Sequence, residues 1–510
     1  MMKIFKLMKS RLVLVGVAIL VQMVWTLVFL ETLTSYSMSI NGFFRVLSVL
    51  ILLYLIRKDE NSAYKIAWII VVMGFPLLGG VLYLMIGNKK PSKKLARRMA
   101  EVKDGMSATM AQNVPILEEI RASDPAAAGN VQYIGKYGPY PVWKNTSVRY
   151  YPVGEAMFSD MLEDLKKAEH SIFLEYFIIQ EGIMWNSILD ILEQKVKEGV
   201  DVRLIYDDVG CVDLLPFHYA DQMEEKGIKC IAFNRFVPFV SLVMNNRDHR
   251  KIMVIDGHTG YNGGINLSDE YINQKERFGH WKDTGVRLHG EAVFNLTLMF
   301  LEVWNAFRTP DPDYSVFWPH RWHPEEFESD GYVVPYADTP LDYEELGENV
   351  YINILNQAQD YVYIATPYLL ISDEMECALC LAAKRGVDVR ILMPGIPDKP
   401  TVFYMAKSYY PPLLAAGVKI YEYTPGFVHA KSYVCDDRIA TVGTINMDFR
   451  SLYLHFECGT FLYGCRAVQD VKRDMEHCFP LCHQVTMADC RQGLLGNILT
   501  SVLRVLAPLM

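Results

Sequence analysis

A cysteine framework, low-complexity tracts and a surplus of positive charge are all missing from this chain. Ten Cys in 510 residues are too few for a disulfide-stapled scaffold. Gly (33) and Pro (24) are ordinary in number, which excludes collagen-like and Pro/Gly-rich disordered classes. Charged residues reach only 21% against 51% hydrophobic, the reverse of a disordered chain. The net charge of −9 argues against a general polyanion binder, yet it hides an asymmetry. Residues 1–100 hold 14 Lys+Arg and 3 Asp+Glu, a balance of +11, and the remaining 36 and 56 leave −20. A basic, apolar head therefore precedes an acidic body. The head suits a membrane with anionic lipids, and the body suits a nucleic-acid groove poorly.

The long apolar runs fall in that head. Leu12 to Leu30 carries no charge, Gly42 to Ile56 is broken only by Arg45, and Ile66 to Ile86 holds Pro76, Gly79 and Gly80. Runs of this length are expected to span a bilayer. Lysines and arginines flank them at 1–11, at Arg57, Lys58 and Lys65, and from Lys89 to Arg98, which places those flanks in the cytoplasm. The expectation is a multi-pass anchor over 1–100, with two spans plus either a third span or a segment that enters and returns near Phe75-Pro76 and Gly79-Gly80.

Beyond a polar stretch expected as a linker (101–135), the chain repeats itself. Gly199-Val200-Asp201-Val202-Arg203 recurs as Gly386-Val387-Asp388-Val389-Arg390. Each copy is preceded by a β-rich run and then a helix-periodic stretch, 171–179 with 185–198 and 361–365 with 374–385. This pattern predicts two α/β units with largely parallel buried strands, packed as a pseudo-dimer. The same repeat carries a sharper match: His249, Lys251, Asp256, Gly263 and Asn266 in one half, and His429, Lys431, Asp436, Gly443 and Asn446 in the other, at identical offsets. Chance predicts about 0.03 His-x-Lys-x4-Asp matches in such a chain. On a strand, residues two apart share a face, so imidazole and ammonium project together. Two Lys and two Asn around one point suit a phosphate, and two His can act as nucleophile and general acid. The scheme calls for no metal and no cofactor.

The duplicated motif resembles the signature of the phospholipase D superfamily. The flanking segments, among them Leu174-Glu175-Tyr176-Phe177-Ile178, Asn246-Arg247-Asp248-His249-Arg250-Lys251 and Gly443-Thr444-Ile445-Asn446-Met447-Asp448-Phe449-Arg450-Ser451, resemble the bacterial cardiolipin synthases. That resemblance implies two phospholipase D-type α/β/α domains (136–325 and 326–488) behind N-terminal transmembrane helices, with an amphipathic tail at 489–510. It implies His249 as nucleophile, His429 as acid/base, Lys251, Lys431, Asn266 and Asn446 as phosphate ligands, and Asp256 and Asp436 as members of the catalytic motif with mostly supporting roles. The family also pairs each catalytic His with a downstream acid, for which Asp283 (34 residues after His249) and Glu457 (28 after His429) are the candidates. One departure is Thr444 where the first half has Gly264.

The implied reaction is phosphatidyl transfer between two phosphatidylglycerol molecules, giving cardiolipin and glycerol through a phosphatidyl-histidine, at the bacterial cytoplasmic membrane with the body in the cytoplasm. A hydrolytic phospholipase D is the alternative, since the motif does not separate water from lipid alcohols; a tethered nuclease and an inactive scaffold are weaker rivals. Cys377-x2-Cys380 and Cys478-x3-Cys482, flanked by His477 and His483, are read as helix-packed thiols. His280 beside Trp281 is a candidate for lining the cleft.

Overall fold

The computed structural model describes residues 38–58, 60–75, 79–80, 82–83, 87, 93–107, 109–235, 246–342, 344–491 and 493–509. The run Leu12–Leu30 lies outside the described residues.

The two halves build the same sheet. In the first half, β1 (Thr146–Tyr151), β2 (Ser171–Tyr176), β3 (Asp201–Asp207), β4 (Lys229–Phe233), β5 (Lys251–Ile255), β6 (Thr259–Gly263) and β8 (Gly285–Gly290) are ordered β1-β8-β6-β5-β2-β3-β4, and β7 (His280–Lys282) stands outside. In the second, β9 (Tyr332–Asp338), β10 (Tyr361–Ala365), β12 (Asp388–Pro394), β13 (Lys419–Tyr423), β15 (Ser432–Cys435), β16 (Ile439–Gly443) and β18 (Glu457–Tyr463) follow the same order, and β19 (Cys482–Gln484) extends the edge, while β11 (Leu369–Leu370), β14 (Gly426–Val428) and β17 (Met447–Asp448) stand outside. Within these two sheets only β2-β3-β4 and β10-β12-β13 run parallel; the motif strands pair antiparallel. The expected largely parallel sheet is thus corrected to a mixed one. The parallel strands are joined by helices, Ile183–Lys197 and Asp373–Lys384, whereas β5–β6 and β15–β16 close through tight turns with left-handed residues, Asp256-Gly257 and Asp436-Asp437, and a tight turn can join only antiparallel neighbours.

The sheets pack together through β6, β16 and β18. Helix Val293–Phe307 is buried on nearly every side, between the first-half sheet, β9 and helix Lys93–Met106. A helix apolar on most of its faces is stable only in such a position. The expected linker is not extended: Val114–Ser123 and Pro125–Tyr137 are helices, the second capped by Asp124 and packed against helix Leu346–Gln357. Leu117, Ile120, Ala127, Val131 and Ile134 are buried there, an apolar spacing hidden among polar neighbours.

In the head, helix Met38–Arg57 leads to helix Ser62–Gly74. Among the described residues no helix is long and apolar enough to cross a membrane. Gly79 lies so close to Val71 that a Cβ would sit 2.3 Å from its carbonyl oxygen, and the Trp68 and Tyr83 rings are 5.3 Å apart. Val46, Leu50, Leu53, Ile66, Ile70 and Met73 remain exposed. Asn61 and Tyr64 dock this head on the body, by hydrogen bonds to the Tyr453 hydroxyl (2.9 Å) and the Phe449 carbonyl (3.4 Å). The tail forms helix Leu494–Leu506, packed on Ser62–Gly74 and on Pro400–Ala406.

Candidate active site

Each motif His precedes its strand, and each is held by the opposite half. The His249 N–H donates to the Phe456 carbonyl (2.9 Å), and the His429 N–H donates to the Lys282 carbonyl (2.7 Å). Phe456 immediately precedes Glu457 and Lys282 immediately precedes Asp283. The acids therefore cross over: His249 Nδ1 lies 2.9 Å from Glu457 Oε1, and His429 Nδ1 lies 2.6 Å from Asp283 Oδ2. This corrects the expected pairing of each His with the acid downstream in its own half. Pairing β7 with β14 (Gly426–Val428), and Asp248 with Phe456, brings the two active-site edges together. Both acids are fully buried, and a buried carboxylate fixes the tautomer of its imidazole, leaving Nε2 free to react.

The acids are seated differently. Gly264 leaves room for Asp283, since a Cβ there would lie 2.1 Å from its Oδ1, and the Thr284 N–H donates to the same oxygen (2.8 Å). Thr444, which stands where the first half has Gly264, donates its hydroxyl to Glu457, and so does Ser451 (2.7 Å).

Lys251 and Lys431 are buried and donate to the carbonyls of His249 and His429. Burial lowers Lys251 to about 8, against the opposing pull of Glu457. Burial likewise lowers Lys431 to about 7, with Asp283 opposing it. His249 is pushed well below the usual histidine value by burial and then by the charges of Lys251, Lys431 and His429. His429 falls to about 4 through burial and Lys431, although Asp283 acts to raise it. Burial acts to raise the Asp283 carboxyl, but His429 and Lys431 outweigh it and hold the group below its ordinary value. Burial raises Glu457. Both imidazoles are thus neutral near pH 7 in the free protein, and the whole group senses one field.

Asn266 and Asn446 follow the Gly residues as expected, in unequal states. Asn266 accepts from the Ile178 N–H (3.0 Å) and donates to the Tyr271 hydroxyl (2.7 Å). The Asn446 Oδ1 is buried without a hydrogen-bond partner. Asp256 and Asp436 are not at the reacting centre. They sit at the far ends of β5 and β15, seven residues from the His, a span of about 20 Å on a strand. Asp256 accepts from the N–H groups of Glu169, His170 and Ser171, and Asp436 from those of Gln359, Asp360 and Tyr361, all at 2.7–2.9 Å. Each ties its hairpin turn to the start of β2 or β10, so the motif aspartates hold the fold and not the substrate.

Tyr271, Trp281, Phe427 and Phe177 wall the site: the first three have ring centroids 5.4, 5.5 and 5.9 Å from that of His429, and Phe177 is 4.9 Å from that of His249. His280 lies beside the site, its Nδ1 3.1 Å from the Tyr423 hydroxyl. His455 escaped the sequence reasoning because nothing in the repeat offsets marks it; its Nδ1 is 3.6 Å from Glu457 Oε1. Donor atoms of His249, His455 and Glu457 lie within 4.8 Å of one another, a spacing that could ligate a cation, but the ammonium charges of Lys251 and Lys431 act on the same His249 and oppose one. Cys377 is exposed and Cys380 half-buried on one helix, while the Cys482 thiol donates to the Cys478 carbonyl (3.1 Å).

A duplicated mixed sheet with His, Lys and a crossed acid from each half defines a phospholipase D-like centre. The family model for "Cardiolipin synthase, PLD-like domain" matches residues 161–288 and 351–479, and that for "Phospholipase_D-nuclease N-terminal" matches 46–88. The chain belongs to the cardiolipin synthase family of phospholipase D-like proteins. A cardiolipin synthase of Geobacillus kaustophilus is 34% identical over 97% of this chain and 99% of its own length. One from Geobacillus sp. WCH70 is 35% identical over 89% and 90%. An uncharacterized Streptococcus mutans protein is 47% identical over 90% and 99%. Among solved structures, phosphatidylserine synthase of Haemophilus influenzae shares the fold, with a TM-score of 0.54 at 14% identity over 75% of this chain and 98% of its own.

Proposed function

We propose that this protein is a cardiolipin synthase that moves a phosphatidyl group from one phosphatidylglycerol to another, releasing glycerol. The observation that carries the reading is the crossed pair of imidazole–acid couples beside two buried lysines. Lys251 and Lys431 would neutralise the phosphodiester, assisted by the amides of Asn266 and Asn446. His249 Nε2 attacks phosphorus, the P–N bond forms and the P–O bond to glycerol breaks as His429 gives its proton to the leaving oxygen. The primary hydroxyl of a second phosphatidylglycerol then passes its proton to His429; its oxygen bonds to phosphorus while the P–N bond breaks. The environments support this division of roles. Asp283 acts to raise its partner His429, which favours the imidazolium of an acid. Burial and the charges of Lys251 and Lys431 depress His249, which favours a neutral nucleophile. The bound phosphate anion would lift His429 toward the working range.

The setting supports a lipid substrate. The apolar side chains exposed on helices Met38–Arg57 and Ser62–Gly74 would face acyl chains, and the flanking lysines and arginines would hold the body on the cytoplasmic side. The domain limits of 136–325 and 326–488 belong to the same reading. The test uses membranes with acyl-labelled phosphatidylglycerol as sole phospholipid. Cardiolipin with equimolar glycerol, lost in His249→Ala and His429→Ala, is expected. Phosphatidic acid in place of cardiolipin would establish the hydrolase instead.

A further inference from the structure

Two partly buried groups beside the site take no part in that transfer. Tyr368 follows β10, and its hydroxyl donates to Asp398 Oδ2 (2.7 Å) in the loop after β12. The other oxygen, Asp398 Oδ1, is shut off from solvent and has no hydrogen-bond partner in the protein. A buried carboxylate oxygen left unpaired is costly unless a ligand supplies a donor.

Both loops are pinned to the reacting edge. Gly395 and Ile396 donate their N–H groups to the Gly426 carbonyl, on the strand that runs into His429. The Thr366 hydroxyl donates to the Tyr368 carbonyl and accepts from the N–H of Met447, the residue after Asn446. The charge of Asp398 reaches Tyr271, whose ring packs edge-on against His429. Lys399, with its ammonium 5.0 Å from the Tyr368 ring centre, contributes to the field at His249. Asp398 thus stands in a loop tied to the reacting edge, and its Oδ1 is an acceptor that no protein donor answers.

The reaction offers one class of donor there. In either half-reaction a single oxygen of the headgroup is bonded to phosphorus, and a glycerol headgroup keeps a second, vicinal hydroxyl. Water and monohydric alcohols have none. We infer that Asp398 accepts a hydrogen bond from this second hydroxyl and so selects a polyol headgroup as phosphatidyl acceptor over water and simple alcohols. The leaving glycerol and the incoming alcohol occupy the same position on phosphorus, so one carboxylate serves both. Tyr368 is the positioning residue: it occupies Oδ2 and turns Oδ1 toward the alcohol. This inference rests on the phosphatidyl transfer proposed above.

The experiment reads partition from a single intermediate. Vesicles of acyl-labelled phosphatidylglycerol receive the full-length protein and 1-propanol, and cardiolipin, phosphatidylpropanol and phosphatidic acid are quantified together. Their ratio does not depend on how fast the intermediate forms. In Asp398→Asn the ratio of cardiolipin to the other two products should fall about tenfold or more, because a site built to pair one hydroxyl loses its preference when the partner goes. Tyr368→Phe should shift it the same way by a smaller factor. A ratio within twofold of wild type in Asp398→Asn overturns the inference. If Asp398→Asn does not fold, an unchanged ratio in Tyr368→Phe overturns it equally. Loss of donor cleavage in both folded variants would make Asp398 part of the chemistry itself, not of the choice of alcohol, and would also overturn it. Failure of the wild-type protein to consume phosphatidylglycerol would instead remove the proposed function.

Discussion

The two halves share one sheet order and one motif, yet they solve the interior beneath the motif differently. In the first half, Arg250 is fully buried and paired with Glu175 (2.7 Å) and Asp248 (3.2 Å). At the matching positions of the second half stand Ala430 and Ala365, also buried. The acids differ as well: a short Asp283 beside Gly264, and a longer Glu457 held by Thr444 and Ser451. What is equal in both halves is the crossed contact, where a backbone N–H and an Nδ1 of one half meet a carbonyl and a carboxylate of the other. The duplication therefore constrains the site and leaves its support free to diverge.

The comparison breaks most sharply at the histidines. His249→Ala and His429→Ala should each lower cardiolipin formation by roughly 10³-fold or more, but a phosphatidyl adduct trapped by rapid quench should survive only in His429→Ala. An adduct retained without His249 reverses the roles of the halves. Next comes the buried ion network. Glu175→Ala should destabilise by about 3 kcal/mol by leaving buried Arg250 with Asp248 as its remaining partner, measured by denaturant unfolding in detergent. The pair Glu175→Ala with Arg250→Ala, which copies the second half, should be less damaging than either single change. The crossing itself is tested by double-mutant cycles on stability: Glu457→Ala should couple to His249→Ala by about 1 kcal/mol or more, and negligibly to His429→Ala. Coupling within each half would restore the downstream pairing.

The smallest effect is in pH. Burial holds Lys431 at about 7 and Lys251 at about 8, and each loses its positive charge as pH rises through its value. Affinity for an anion should therefore fall severalfold between pH 6 and pH 9. Sulfate, which keeps its charge over that range, is the suitable competitor in an inhibition assay. An inhibition constant that stays level to pH 9 would place the binding charge elsewhere.

Much of this was legible in residue order. The repeated His-x-Lys-x4-Asp offsets located both histidines, and the Gly-Val-Asp-Val-Arg copies located β3 and β12. The parallel strands were over-read because apolar runs look alike in either direction; only the turns at Asp256 and Asp436 separate the cases. The motif aspartates shared the spacing of the catalytic set, and spacing does not distinguish a residue facing substrate from one satisfying three backbone N–H groups. Tyr368 and Asp398 carried no signal, since they meet only when two loops fold side by side.

The sequence by itself determined that the chain is duplicated, that each copy carries one imidazole and one ammonium on a strand edge, and that an apolar basic head precedes them. Those facts follow from local periodicity and from identity between distant segments. Only the tertiary structure decided which acid serves which histidine, because Asp283 and Glu457 each reach across 146 and 208 residues of chain to the other half. A contact of that kind is set by how two sheets pack, and packing depends on surfaces that no offset along one strand records.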